Sequence, residues 1–298
     1  MKNKNLGPLL IAFAAFLWSL DGLLRVSLYS LPPATVVFWE HVLAAFVLAP
    51  FMISRQKEIK ELTKKEWIAI ILVSLFSGAL GTTLYTAALG KVNYIQFSVV
   101  PLLQQLQPIW AITTATLILR EKLNKQFLMW AGLAIVASYF VTFKDMTINL
   151  STGSGTLIAA FFALSAGIVW AVSTSFSKIV LKKTSFWTAT FLRYALAPIF
   201  AFMFILILGQ QHTIWAVTID QWLKLVAITF STGGVALLIY YIGLKQTPAR
   251  VSAIAELTWP ASAVVIDYVH FHNPLSITQI LGAIVLIYAM TKVARFQK

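Results

Sequence analysis

No cysteine occurs in the 298-residue chain. Disulfides, thiolate metal sites and cysteine nucleophiles are therefore excluded, and the redox compartment is left open. Charge is scarce as well. Only 11% of the residues are Asp, Glu, Lys or Arg, against about 25% in an ordinary soluble domain. The chain carries no His-Glu-x-x-His helix, no Gly-x-Ser-x-Gly elbow and no Walker A loop, so zinc proteolysis, serine-elbow hydrolysis and nucleotide hydrolysis by this chain have no sequence support. What is abundant is apolar: 59% of the residues are hydrophobic and the mean hydropathy is +0.82. Such a composition leaves too little polar surface to cover a water-soluble globule and points to a bilayer.

A helix needs about 20 predominantly apolar residues to cross the hydrocarbon. Ten such stretches can be read, at about 7–28, 34–53, 66–90, 94–119, 126–143, 155–178, 185–208, 220–244, 250–271 and 276–294. They are continuous and rich in Leu, Ile, Ala and Phe, whereas barrel strands would alternate in segments of about ten residues. The first run leads into Asp21 and Arg25 and not into a small-residue cleavage site, so it reads as a span and not as a signal peptide.

The net charge of +13 records orientation. Eighteen of the 23 basic residues fall in one set of loops, among them the groups Arg55–Lys65, Arg120–Lys125, Lys178–Lys183 and Lys292–Lys298. The opposite loops hold Arg25, Lys91 and Lys144. By the positive-inside rule both termini are expected in the cytoplasm, in a multi-pass protein of a prokaryotic inner membrane. The charge then gives no support to nucleic-acid binding.

The halves resemble each other. Residues 1–144 form a first unit of five spans, 145–154 a connecting loop and 155–298 a second unit of five. Trp18 corresponds to Trp170, Tyr85 to Tyr240 and Glu40-His41 to Arg193-Tyr194. The run Gln104-Gln105-Leu106-Gln107-Pro108 corresponds to Glu256-Leu257-Thr258-Trp259-Pro260, and Gly132 to Gly282. Five is odd, so the second copy must cross in the opposite sense. The expected fold is an all-α integral membrane protein of ten transmembrane helices in two inverted five-helix repeats. Inverted repeats are a recurring plan of secondary transporters, with the substrate near the midplane where helices are interrupted. Pro108 and Pro260 are the expected helix breaks, since each proline removes a backbone donor.

This arrangement resembles the EamA family of the drug/metabolite transporter superfamily. The likeness rests on Arg120-Glu121-Lys122-Leu123 after the fourth span, on Pro108 upstream and Gly132 downstream of it, and on Pro260 and Gly282 in the second half. Asn273-Pro274-Leu275 stands where the family often has Glu-Arg-Leu, and Glu40 stands opposite Arg193, the more usual residue. The resemblance covers nearly the whole chain and implies transport of a small metabolite, amino acids included.

Intramembrane polar residues are costly and mark pathways. Glu256, one turn before Pro260, is a candidate to bind a cationic group or carry a proton, the plainer alternative being a structural ion pair. Gln104 and Gln107 offer donors and acceptors to a substrate, or bonds between helices. Glu40 is a second proton-coupling candidate, with pairing to Arg193 or Arg25 as the alternative. Arg193 can hold a carboxylate bidentately. Trp18, Trp170, Tyr85, Tyr240 and Trp259 are the deep aromatics and candidate pocket walls. Asp21 and Arg25, spaced i, i+4, read as a local ion pair near the headgroups. Asp267, His270 and His272 fall at a helix end without a full ligand set, so no metal and no cofactor is expected.

The expected function is secondary-active transport, in the export direction, of a small metabolite such as an amino acid or organic cation, by alternating access. Expected partners are the lipid bilayer, the small-molecule substrate, protons as a candidate coupling ion and a second copy of the chain as a candidate homodimer. A channel, a receptor or a non-transporting membrane partner is the alternative.

Overall fold

The computed structural model describes residues 6–91, 106–142, 145, 153–272 and 274–296. Every regular element among them is helical. In chain order they are α1 (Leu6–Val26), α2 (Pro33–Leu48), α3 (Lys64–Val73, Ser74–Gly81 and Thr82–Leu89), α4 (Gln107–Leu119) and α5 (Lys125–Thr142). There follow α6 (Gly153–Leu181), α7 (Phe186–Ile207), α8 (Ile219–Ile228, Thr229–Gly233 and Gly234–Gln246), α9 (Ala249–Ala255 and Thr258–Phe271) and α10 (Ile277–Val293). Among the described residues, seven helical stretches are long and apolar enough to cross a membrane, and α4, α5 and α10 are shorter apolar helices. The helix of the second expected span does not stop at 53. It runs on through a 3-10 stretch, Ala49–Arg55, into Gln56–Lys60, with the Arg55 guanidinium capping the Phe51 carbonyl at 2.8 Å.

The helices begin where side chains can satisfy free backbone donors. Thr63 with Glu66, Thr218 with Gln221 and Ser276 with Gln279 form reciprocal capping boxes at α3, α8 and α10. Asn124 accepts from the Phe127 amide at 2.7 Å at the start of α5. Glu121, from the link after α4, accepts from the amides of Ala249 and Arg250 at 2.8 and 3.0 Å and so caps α9.

Large apolar side chains such as Phe46, Leu117, Ile207 and Ile287 point outward, while alanines fill the helix contacts. That distribution suits lipid outside and close helix packing inside. α5 packs on α10, α2 on α7, α1 on α8 and on the second part of α9, and both α3 and α4 on α6. α4 also meets the first part of α9. Ala131, Ala134 and Ala137 of α5 lie buried toward Leu286 and Ala289 of α10. At the α1–α8 crossing a Cβ on Gly243 would lie 2.7 Å from the Gly7 carbonyl oxygen, so only glycine lets these backbones approach.

Three interruptions position the interior. Ser74–Gly81 in α3 and Thr229–Gly233 in α8 are wound as π-helix, which loosens the ladder and is frequent at functional sites. α9 breaks at Glu256-Leu257. Pro260 has no amide to give the Glu256 carbonyl, which instead accepts from Trp259 N at 2.9 Å in a tight turn.

Candidate substrate cavity

The breaks surround one large cavity. Its wall includes Trp18, Asp21 and Arg25 of α1, Glu40 and His41 of α2, Ser77, Thr82 and Tyr85 of α3, and Gln107 and Pro108 of α4. From the other half come Trp170, Ser173, Thr174 and Ser177 of α6, Arg193 and Tyr194 of α7, Thr232 and Tyr240 of α8, and Glu256, Trp259 and Pro260 of α9.

The start of α4 and the break of α9 meet at Glu256. Gln107 donates its amide to Glu256 Oε2 at 2.9 Å, and the Tyr240 hydroxyl and Ser252 hydroxyl donate to Oε1 at 2.8 and 2.9 Å. Among the described residues no cation lies within ion-pair distance of this carboxyl group; neutral donors hold it. The structural ion-pair alternative for Glu256 is therefore not what the geometry contains.

Aromatic rings line much of the wall. Tyr85, Trp170 and Trp259 stand around one another with centroids 5.4 to 6.0 Å apart. Trp18 meets Tyr240 at 5.0 Å on the Glu256 side. The Trp170 indole N–H donates to the Ser77 carbonyl at 3.3 Å. Gly81 makes room for that indole, because a Cβ there would run into its Nε1 and Cδ1.

A charged cluster closes another part of the wall. Arg25 pairs with Asp21 one turn earlier, and its Nη2 lies 2.8 Å from Glu40 Oε2. Thr232 donates to Asp21 Oδ1 at 2.6 Å, and Arg25 Nη1 reaches Thr86 Oγ1 at 3.3 Å. All three ionised groups are buried. The pair expected near the headgroups is therefore an interior triad of two acids and one base. Of the two partners expected for Glu40, the structure has Arg25.

Arg193 stands apart. Its Nη2 donates to the Ser77 carbonyl at 3.3 Å, and no carboxylate among the described residues pairs with it. His41 Nδ1 lies 2.9 Å from the Val37 carbonyl, and its ring packs on Tyr194 at 4.9 Å.

Thus Trp18, Tyr85, Gln107, Trp170, Arg193, Tyr240, Glu256, Trp259, Glu40, Pro108 and Pro260 all reach one cavity. Pro108 opens α4 at its first turn, while in the second half the break precedes Pro260 by three residues. Gln104 lies outside the described residues, as do Gln105, Pro101 and the side chains of Asp267 and His270. The sequence reading missed the hydroxyl groups, namely Ser77, Thr82, Ser173, Thr174, Ser177 and Thr232. The spacing Ser173, Thr174, Ser177 on one helix was the available signal.

Residues 5–143 and, separately, 157–293 match the model of the EamA-like transporter family. The chain belongs to that family. One relative, the riboflavin transporter ImpX of Fusobacterium nucleatum, is 36% identical over 297 residues, 99% of each chain. An uncharacterized transporter of Synechocystis is 26% identical over 77% of this chain and 66% of its own. A solved crystal structure shares the fold with a TM-score of 0.71 over 97% of this chain and 96% of that one, at 16% identity. As an EamA-like protein the chain is a multi-pass membrane transporter and not an enzyme.

Proposed function

We propose that the protein is a secondary transporter of a flat heteroaromatic metabolite of the riboflavin type, working by alternating access about the cavity between its halves. The observation that carries this reading is the aromatic lining: Trp18, Tyr85, Trp170, Tyr240 and Trp259 all face the cavity that Glu256 and Gln107 also line. Aromatic walls grip a planar ring by its faces, and a few fixed polar groups orient its edge. The name of the relative matched over 99% of each chain supports a flavin over the amino acid or organic cation expected from the sequence. The row of hydroxyls from Ser173 to Ser177 suits a polyhydroxylated side chain.

The reading includes ten spans in two inverted repeats, with both termini cytoplasmic. Several observations support it. The family model matches twice in succession. The π segments begin at Ser74 and Thr229, the capping boxes at Thr63 and Thr218, and the matched tyrosines at 85 and 240, each pair at one constant offset. The helix contacts keep their pattern when the halves are exchanged: α1 on α8 becomes α6 on α3, and α4 on α6 becomes α9 on α1.

Glu256 is the coupling residue in this mechanism, because it is a titratable group at the helix break that no fixed cation among the described residues neutralises. Reconstituted vesicles test the function. Riboflavin flux that saturates with concentration and follows an imposed pH gradient is the expected result. Flux that rises linearly without saturation would favour a channel, and no flux of any flavin would remove the substrate. Measuring loaded and unloaded vesicles in both orientations reads export, the direction expected from the sequence, against import.

A further inference from the structure

Three buried polar atoms on the cavity wall have no hydrogen-bond partner among the described residues: His41 Nε2, Ser173 Oγ and Arg193 Nε. Such groups cost stability unless something pairs with them. Two of them, on Arg193 and His41, lie about one peptide, and Ser173 lines the same cavity. The Ser77 carbonyl accepts from Arg193 Nη2 and Trp170 Nε1, both at 3.3 Å. His41 Nε2 is 3.7 Å from where a Cβ on the adjacent Gly78 would be. Ser173 follows Trp170 by three residues, on the same face of α6. Its neighbour Thr174 bonds back to the Trp170 carbonyl at 3.2 Å, as most hydroxyls in this bundle bond to their own helix, but Ser173 does not.

The chemistry of the three atoms is complementary to a particular edge. Arg193 Nε can only donate. His41 gives its Nδ1 proton to the Val37 carbonyl, so in the neutral ring Nε2 is an acceptor. The Ser173 hydroxyl is free to donate. Two donors and one acceptor match two carbonyl oxygens and the N–H between them.

The geometry points to a subsite at Arg193, His41 and Ser173 that takes the cyclic imide edge, C=O, N–H and C=O, of the transported ring. The flavin pyrimidinedione carries such an edge, so the inference deepens the flavin reading and rests on it for the choice of first probe. In the cavity this subsite lies beside Trp170, and the ring it holds would lie against Tyr85, Trp170 and Trp259.

The test is ligand binding to the purified full chain in detergent, followed by tryptophan fluorescence. The probes are riboflavin and its N3-methyl derivative, then 1-benzyluracil and its N3-methyl derivative, which carry the imide without a flavin. Wild-type protein is expected to prefer each N–H form over its N-methyl form by about tenfold, the worth of one buried hydrogen bond. The His41→Phe variant keeps a ring against Tyr194 but has no acceptor, and is expected to lose that preference. Arg193→Lys and Ser173→Ala are expected to weaken the N–H and N-methyl forms alike, since both act on the carbonyls. Equal binding of the two forms by wild type, or a preference that survives in H41F, overturns the subsite and leaves flavin transport standing. A preference for the uracil imide without any flavin binding removes the flavin and keeps the subsite. Absence of binding by either imide overturns the subsite. If H41F does not fold, unchanged imide binding by S173A overturns it as well.

Discussion

Gln107 at the start of α4 and Glu256 at the break of α9 are joined by a hydrogen bond of 2.9 Å. The amide comes from the first half of the chain and the carboxyl group from the second, so the bond spans the surface along which the proposed alternating access would move the halves. A carboxyl group held only by neutral donors can lose or gain a proton without stranding a fixed partner charge. Glu256→Gln should therefore keep riboflavin binding and abolish pH-driven accumulation in vesicles. Accumulation by that variant equal to wild type would take the proton away from this residue. Gln107→Leu leaves Oε2 without its donor and should lower the Tm, by the loss of a buried hydrogen bond worth about 0.5–1.5 kcal/mol.

Arg25 is expected to bear on stability. It is flanked by Asp21 and Glu40, all three are buried, and Thr232 and Thr86 complete their hydrogen bonds. Removing the one base leaves two like charges facing each other out of water. Breaking a buried pair in this way costs about 3–5 kcal/mol. Arg25→Met should lower the Tm steeply. Glu40→Gln keeps Arg25 paired with Asp21 and should lower it far less. A thermal denaturation series in one detergent checks the order, and an R25M variant as stable as wild type would contradict the triad.

Much of this architecture was legible from periodicity and apolar runs. The break ahead of Pro260 and the aromatics Trp18, Tyr85, Trp170, Tyr240 and Trp259 stood out because large or proline residues in the midst of a span are few. Other features carried no such signal. Ser173 and Thr232 look like any hydroxyl in a membrane helix, where most bond to their own backbone. The π segments left no mark beyond Gly78 and Gly233, which align with each other. Asp21 and Arg25 are spaced for a local pair, and only the fold brings Glu40 to them from α2. The paired capping boxes at Thr63 and Thr218 were readable as Thr-x-x-Glu and Thr-x-x-Gln, each followed by tryptophan, and are the clearest repeat landmark that the sequence reading passed over.

Gly132 and Gly282 align between the halves, yet the structure makes them unequal. A Cβ on Gly282 would lie 2.9 Å from Phe140 Cβ and 3.0 Å from the Val141 amide, whereas a Cβ on Gly132 would meet nothing within 4 Å. Gly282→Ala should push α10 off α5 and lower the Tm. Gly132→Ala should be neutral or stabilising, by up to about 1 kcal/mol from helix propensity. Equal effects in a melting experiment would mean that the α5–α10 contact is not as close as described.

The missing cysteines make the orientation directly measurable, because any thiol introduced is the single one in the chain. With eighteen basic residues in the loops proposed to be cytoplasmic, Lys2→Cys, Lys122→Cys and Lys298→Cys should be shielded from a membrane-impermeant maleimide in intact cells, and should react after permeabilisation. Lys91→Cys and Lys144→Cys should react in intact cells. Lys122 and Lys144 flank α5, so their contrast tests that one short helix crosses alone. Lys91 and Lys122 bracket the fourth expected span and test that one in the same way. Labelling of Lys122→Cys and Lys144→Cys from the same side would remove the fifth crossing, and with it the odd number on which the inversion of the second half depends.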